Sequence, residues 1–124
     1  MNTILIVEDD ANLRRLYQVE LEAEGYRVLL AKNGNEAIES VAEEVPDLIV
    51  MDIRMPEKDG LDAMAGILND HGKIPVILNS AYSSYKDDFL TWAADAYITK
   101  SADLEPLKSK IREILSAREA RLNR

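Results

Sequence analysis

The sequence predicts an α/β fold in which helices cover both faces of a doubly wound parallel sheet. Two observations lead to this prediction. Short apolar runs rich in β-branched residues alternate with longer segments whose apolar residues recur at helical spacing. Five segments of each kind follow one another along the chain, and this alternation is the order that βαβ units require.

Each predicted strand is a short apolar run, and turn-forming or acidic residues follow most of these runs. The strands are expected at residues 4–7, 27–31, 48–51, 76–78 and 96–98. Each predicted helix has an apolar face, except that the pattern at residues 83–93 is weak. The helices are expected at residues 11–24, 34–45, 61–68, 83–93 and from residue 104 onward. Gly25 and Pro46 are expected to end the first two helices, and Asp103 to cap the last.

Right-handed crossovers leave few topologies for such a chain, and we expect the flavodoxin-like strand order 2-1-3-4-5. In sheets of this kind, sites form at the carboxyl ends of the strands, where the strand order reverses. The sequence therefore predicts a site at the crevice between strand 1 and strand 3.

Composition excludes several classes of function. A chain of 124 residues suits one domain, with an expected core at about 3–117 and a basic helical tail at 118–124. There is no cysteine, so disulfides, zinc–thiolate sites and thiol nucleophiles are excluded. The net charge of −8 argues against direct nucleic-acid binding. With neither a membrane-spanning run nor a signal peptide evident, we expect a cytoplasmic protein without membrane insertion.

Carboxylates follow two strands that the predicted sheet places side by side. Strand 1 continues into Glu8-Asp9-Asp10, and strand 3 continues into Asp52. Carboxylates that meet at one sheet edge repel each other, and a bound divalent cation removes that repulsion. Mg²⁺ suits such a site because it accepts a few carboxylates and keeps waters for substrate oxygens. As an alternative, Asp10 caps the first helix.

Two more strand ends add polar groups at the same edge. Strand 4 is followed by Asn79-Ser80-Ala81, and strand 5 by Thr99-Lys100-Ser101. A hydroxyl and an ammonium are the groups that a phosphoryl group beside a carboxylate requires. We therefore expect Ser80 and Lys100 to lie near Asp52, although each alone is as typical of a turn or a solvated surface.

The chain resembles the receiver domain of two-component response regulators over nearly its whole length. Several short motifs carry the resemblance together. They are Ile4-Leu-Ile-Val-Glu-Asp-Asp10, Gly25-Tyr26, Ala31-Lys-Asn-Gly34, Glu36-Ala37, Pro46-Asp47-Leu48, Met51-Asp-Ile-Arg-Met-Pro56 and Asp59-Gly60. The resemblance implies that Asp52 accepts a phosphoryl group.

The resemblance also implies a ligand set for Mg²⁺ or Mn²⁺. Asp10 and Asp52 would be direct ligands, joined by the backbone carbonyl of Arg54. Asp9 would act through a bound water. The metal ion and Asp52 would then form the centre of the phosphoacceptor site.

Five further side chains receive roles from the resemblance. Lys100 would neutralise phosphoryl oxygens, and Ser80 would hydrogen-bond the phosphoryl group. Tyr97 would turn inward when Ser80 moves and so change a protein-binding face; the alternative is half-buried packing. Arg54 and Tyr82 would partly screen the acyl phosphate from water and lengthen its lifetime, unless they are merely exposed rim residues.

The implied partners are a sensor histidine kinase or a histidine phosphotransferase, and a downstream protein target. The chain would assist its own phosphorylation and dephosphorylation as a signalling protein and would not be an enzyme. Ser101 replaces the proline that many receivers carry after the lysine, which leaves open a phosphorylation-independent interaction module. A further alternative is the N-terminal receiver of a longer regulator, although the short C-terminal end favours a single-domain regulator.

Two other classes fit the sequence less well. Phosphatases with an aspartate nucleophile need an acid/base carboxylate two residues after the nucleophile, where this chain has Arg54. Nucleotide-binding domains need a glycine-rich loop after strand 1, where this chain is acidic.

Overall fold

The computed structural model describes residues 1–52, 65–67, 69, 73–80 and 95–122. Within these ranges the strands are β1 (Thr3–Val7), β2 (Arg27–Ala31), β3 (Leu48–Met51), β4 (Val76–Ser80) and β5 (Ala96–Thr99). The complete helices within them are α1 (Ala11–Ala23), α2 (Gly34–Glu43) and the C-terminal helix (Glu105–Leu122). Residues 65–67 and 69 are also helical.

The strands form one parallel sheet in the order β2-β1-β3-β4-β5, which confirms the predicted fold class and strand order. β1 pairs with strands on both sides, so that Val7 lies opposite Ala31 of β2 and Met51 of β3. Because the chain order reverses between β1 and β3, the residues that follow Val7 and Met51 emerge side by side.

The fourth strand is longer than predicted. It continues beyond Leu78 through Asn79 and Ser80, because these two residues pair with Ile98 and Thr99 of β5. Polar side chains argue against a strand when the sequence is considered alone. The hydrogen bonds between strands, however, join backbone groups and do not require apolar side chains. The site therefore begins inside the sheet and not in a loop after it.

The helices follow the predictions closely where they are described. α2 ends at Glu43, short of the predicted residue 45, because Glu44 already has an extended backbone. Pro46 restricts the residue before it in the same direction. Gly25 follows α1 with a φ of 95°, a conformation that glycine adopts without strain. The predicted helix at 83–93 lies outside the described residues.

Side-chain alternation along the strands divides the core into two layers. One layer lies between the sheet, α1 and the C-terminal helix. It contains Ile4, Ile6, Tyr17, Leu21, Leu48, Val50, Ile77, Leu107, Ile111 and Leu115. The other lies between the sheet and α2, with the helical residues near 67. It contains Leu5, Val7, Ala31, Ala37, Val41, Ile49, Met51, Ile67, Ile74, Val76 and Leu78.

Ion pairs join the C-terminal helix to the rest of the domain. Lys108 Nζ lies 3.0 Å from Glu20 Oε2 on α1. Arg118 Nη1 donates to Asp47 Oδ1 at 2.9 Å and to the Asp47 carbonyl oxygen at 3.2 Å. Arg118, the first residue of the predicted basic tail, thus contacts the body of the domain. No helix in the described ranges is both long and apolar enough to cross a membrane.

Candidate functional site

The backbone fixes the predicted site residues at the carboxyl edge of the sheet. The Asp52 amide donates to the Val7 carbonyl at 3.0 Å, which extends the pairing of β1 and β3 past Met51. The Lys100 amide donates to the Ser80 carbonyl at 2.7 Å, which extends the pairing of β4 and β5. A backbone hydrogen bond to the neighbouring strand therefore fixes the position of both Asp52 and Lys100 at the edge of the sheet.

A single lysine joins two buried carboxylates at this edge. Lys100 Nζ lies 2.7 Å from Glu8 Oε1 and 2.8 Å from Asp52 Oδ2. Glu8 is 2% exposed and Asp52 is 6% exposed, so solvent and salt screen these contacts less than they screen surface ion pairs. Without the ammonium group, two carboxylates would face each other in a poorly hydrated site, which is costly.

Burial alters the protonation of this cluster. It raises the pKa of Glu8 from 4.5 to about 7, against the opposing hydrogen bond and charge of Lys100 and the hydrogen bond from the Asp10 amide. Burial lowers the pKa of Lys100, but hydrogen bonds and charge interactions with Asp52 and Glu8 outweigh it and leave that pKa above its ordinary value. Lys100 is therefore a cation at neutral pH.

Glu8, Asp9 and Asp52 form a carboxylate cluster in which one oxygen atom of each residue lies within 4.8 Å of one oxygen atom of each of the others. Glu8 and Asp52 are buried, whereas Asp9 is exposed. All three offer hard oxygen donors, and Mg²⁺ binds through a few carboxylates while it retains several waters. The cluster therefore fits the predicted Mg²⁺ site, with Asp9 on its solvent side.

Asp10, a predicted direct metal ligand, lies outside this cluster. Its Oδ1 atom accepts hydrogen bonds from the amides of Asn12 at 2.9 Å and Leu13 at 3.1 Å. Its backbone is extended, with φ −76° and ψ 116°, as an N-cap residue requires. The structure thus gives Asp10 the alternative role, as the cap of α1, and turns its carboxylate towards the helix.

Glu8 takes the third place in the cluster, although the sequence-based ligand set left it out. The register of the sheet explains its position. Val7 lies opposite Met51, so Glu8 and Asp52, which follow these residues, leave neighbouring strands at the same level. Since β1 and β3 were predicted as neighbours, the residue directly after each strand was the informative position.

Side chains of Glu8 and of Arg14 on α1 hold the loop between β1 and α1. Glu8 Oε2 accepts from the Asp10 amide at 3.2 Å. Arg14 Nη1 donates to the Glu8 carbonyl oxygen at 2.8 Å and to that of Asp9 at 3.4 Å. These contacts hold Glu8 and Asp9 in place before any ligand arrives, so the cluster is preorganised.

Ser80 and Tyr97 lie on the neighbouring strands β4 and β5. Ser80 is fully buried at the end of β4. Tyr97 lies opposite Leu78, is half-buried, and packs against the apolar layer that contains Leu78. Arg54 and Tyr82 lie outside the described residues, so the metal-binding carbonyl of Arg54 and the screening role of both side chains stay predictions.

Comparison with known proteins identifies the family. The family described as the response regulator receiver domain matches residues 4–112 of this chain. The chain belongs to the response regulator receiver family. The resemblance noted in the sequence is therefore confirmed, and every described site residue of this receiver domain falls within the matched range.

The receiver domain is similar to solved structures over almost its full length. One is the response regulator TrrA from Thermotoga maritima in complex with Mg²⁺-BeF, with 39% identity and a TM-score of 0.88, covering 91% of this chain and 98% of that one. Another is TrrA in complex with the histidine kinase ThkA, with 39% identity and a TM-score of 0.87, covering 93% and 99%.

Curated relatives are longer than this receiver domain. The transcriptional regulatory protein ZraR of Klebsiella oxytoca is 39% identical over 115 residues, which are 91% of this chain but 26% of that protein. The chain spans between 25% and 50% of the length of the first such relatives. The activities of those longer regulators therefore cannot be assigned directly to this chain.

Proposed function

We propose that this receiver domain accepts a phosphoryl group on Asp52 from the phosphohistidine of a sensor histidine kinase or a histidine phosphotransferase, as a step of two-component or phosphorelay signalling. The observation that carries the proposal is the contact of one lysine with two buried carboxylates, Lys100 with Glu8 and Asp52. The similar TrrA structures, one with Mg²⁺-BeF and one with a histidine kinase, support it.

The proposed metal site uses the carboxylates of Glu8, Asp9 and Asp52. One oxygen atom from each of these three groups lies within 4.8 Å of the other two. The backbone carbonyl of Arg54 remains a predicted ligand. Mg²⁺, or Mn²⁺ in its place, offsets the negative charge of the transferring oxygens when it is bound. Asp10 acts by capping α1 and thereby fixes the direction in which the chain leaves the acidic loop, which consists of Glu8, Asp9 and Asp10.

In the proposed transfer, an oxygen of the Asp52 carboxylate forms a bond to phosphorus. The bond between phosphorus and the donor imidazole nitrogen breaks, and its electron pair returns to that nitrogen. Lys100 supplies positive charge beside the acceptor oxygen, and the Ser80 hydroxyl supplies a hydrogen-bond donor. Positioning and charge stabilisation account for most catalysis in phosphoryl transfer. Attack of water on phosphorus then releases phosphate and regenerates the carboxylate.

The proposed output is a change in the surface around β5. Ser80 would turn towards the phosphoryl group, and Tyr97 would move inward towards the space that Ser80 leaves. The pairing of β5, which carries Tyr97, with β4, which carries Ser80, supports this role. The half-buried packing of Tyr97 against the layer of Leu78 fits the alternative of simple packing. A new charge at Asp52 would bias two arrangements that already exist, as other phosphorylation switches do. Arg54 and Tyr82 are proposed to lengthen the lifetime of the phosphorylated state.

The proposed partners are cytoplasmic proteins, namely a kinase or phosphotransferase and a downstream target. The chain assists its own phosphorylation and dephosphorylation and does not act as an enzyme on other molecules. Two alternatives differ from this proposal in testable ways. A phosphorylation-independent interaction module would bind its target without phosphate. A receiver that belongs to a longer regulator, as in the curated relatives, would transmit the change to a further domain.

The deciding experiment measures the mass of the intact protein after incubation with Mg²⁺ and a phosphodonor. Acetyl phosphate and a phosphorylated histidine phosphotransferase serve as two donors. We expect a gain of one phosphoryl group that requires Mg²⁺ and disappears in Asp52→Asn. Asp103→Asn is the matched control, because an amide oxygen can still accept from the Glu105 amide as Asp103 does at 3.0 Å. No gain from either donor would favour the phosphorylation-independent module.

A further inference from the structure

One polar pair lies inside an otherwise apolar layer of the core. Asn79 Nδ2, on β4, donates to the hydroxyl oxygen of Tyr17, on α1, at 3.1 Å. Asn79 is 4% exposed and Tyr17 is 3% exposed. The other fully buried hydrophobic members of this layer, from β1, β3, β4, α1 and the C-terminal helix, are aliphatic. The pair therefore needs an explanation beyond apolar packing.

Stability alone explains the pair poorly. A buried hydrogen bond replaces bonds that both groups make to water in the unfolded chain, so replacing both partners by apolar groups of similar shape is often neutral. A hydrogen bond does, however, fix distance and direction more narrowly than apolar contact does. Burial raises the pKa of the Tyr17 phenol, so the group stays neutral and keeps its proton.

The position of the pair links two halves of the acceptor site. Tyr17 belongs to the helix that begins directly after the acidic loop of Glu8 and Asp9. Asn79 directly precedes Ser80, whose carbonyl oxygen accepts from the Lys100 amide at 2.7 Å. The bond thus joins the helix that follows the loop of Glu8 and Asp9 to the strand that carries Ser80. Through its backbone, Ser80 in turn holds the amide of Lys100.

We infer that the Tyr17–Asn79 hydrogen bond is a positioning contact that sets the end of β4, and with it Ser80 and Lys100, relative to the carboxylates of the acidic loop. The inference rests on the proposed phosphoryl transfer to Asp52. Neither Tyr17 nor Asn79 touches the reacting atoms in this account. They act through the placement of Ser80 and Lys100, whose groups must meet the phosphoryl oxygens.

The test uses three variants that separate the hydrogen bond from packing. Tyr17→Phe removes the hydroxyl and leaves the Asn79 amide buried without this partner. The double variant Tyr17→Phe/Asn79→Leu removes both polar groups and keeps the branched framework of the side chain at position 79. Tyr26→Phe is the matched control, because Tyr26 is half-buried against the same apolar layer but lies beyond the end of α1. Each variant is measured for urea unfolding, Mg²⁺ affinity by calorimetry and the phosphorylation rate at saturating Mg²⁺ and donor.

We expect the double variant to unfold at close to the wild-type urea concentration and to bind Mg²⁺ with unchanged affinity. Its phosphorylation rate is expected to fall about tenfold, because small displacements of positioned groups lower such rates. Exchange of the Lys100 amide hydrogen is expected to become faster than in Tyr26→Phe. A structural role alone would predict recovery of the rate along with the stability.

The outcomes separate this inference from the proposed function. A double variant with wild-type rate and wild-type Lys100 exchange would overturn the inference while leaving phosphoryl transfer intact. If the wild type accepts no phosphoryl group, the proposed function fails, and Lys100 exchange in the stable variant still decides whether the pair positions this segment. Should the double variant not fold, Tyr17→Phe is compared with Tyr26→Phe at a temperature where both are folded, and equal rates and equal exchange would overturn the inference.

Discussion

Lys100 and Asp52 form an ion pair across the carboxyl edge of the sheet, with 2.8 Å between Nζ and Oδ2. The two residues are 48 positions apart in the chain, and they follow β5 and β3, between which β4 lies. The lysine side chain therefore reaches past the end of β4, where Ser80 is buried. The carboxylate of Asp52 and the ammonium group of Lys100 meet beside the end of β4 because these three strands are adjacent in this order.

The first prediction concerns the charge of Lys100. Lys100→Met is expected to slow phosphorylation of Asp52 about a hundredfold at saturating Mg²⁺, the size seen when one group that stabilises developing charge is lost. The control is Lys110→Met, because among the described residues Lys110 pairs at the surface with Glu113, three residues away. Initial rates are read by mass spectrometry with acetyl phosphate. A Lys100→Met rate within twofold of the control would remove Lys100 from the proposed transfer.

The second prediction separates the two neighbouring aspartates of the acidic loop. Asp9→Asn is expected to weaken Mg²⁺ binding at least about tenfold, since even groups that support metal ligands have effects of this size. Asp10→Asn is expected to change the affinity by less than about threefold, because asparagine is an equally good N-cap. Calorimetric titration of both variants with Mg²⁺ gives the comparison. The reverse ranking would restore Asp10 as a direct ligand.

The third prediction concerns pH and the stability of the metal-free protein. The folded-state pKa of Glu8 is raised to about 7 from 4.5, so the folded state binds this proton more tightly than the unfolded state does. The stability that protonation of Glu8 contributes is therefore fully present below pH 4.5 and is lost as the pH rises through 7. The change is at most about 3 kcal/mol.

The measurement uses urea unfolding in a metal chelator at several pH values between 5 and 8. Glu8→Gln cannot titrate, so the difference in unfolding free energy between wild type and this variant isolates Glu8. We expect the wild type to lose stability relative to Glu8→Gln as the pH rises through this range. A difference that stays constant with pH would show that Glu8 does not titrate there.

The fourth prediction concerns where the packed domain ends. Arg118→Met is expected to lower the free energy of unfolding by about 1 kcal/mol, because it removes two half-buried hydrogen bonds to Asp47. Arg121→Met is the control, since Arg121 is exposed and surface substitutions change stability by less than about 0.5 kcal/mol. Equal unfolding midpoints in urea for the two variants would place Arg118 in a solvated tail.

The sequence by itself determined the layout of this protein. Short β-branched runs and amphipathic segments in alternation are sufficient to predict a parallel sheet, and right-handed crossovers limit its order. Asp52 and Lys100 were placed at one edge because the residues that follow parallel strands emerge together. These inferences depend on local periodicity, which is visible in the sequence, and on rules of strand connection that apply to α/β proteins in general.

Only the tertiary structure decided which polar side chains meet. Glu8, Asp9 and Asp10 are consecutive acids, and the position of Glu8 directly after β1 identifies it as the one level with Asp52 only once the register of β1 against β3 is known. The pairing of β1 with β3 brings Glu8 level with Asp52, while the start of α1 turns Asp10 towards its own amides.

The buried bond between Tyr17 and Asn79 was equally hidden. Its partners are 62 residues apart, and each fits an apolar or a turn pattern when considered alone. Periodicity reports the face on which a side chain lies, but contact between two polar groups depends on the register and packing of distant elements.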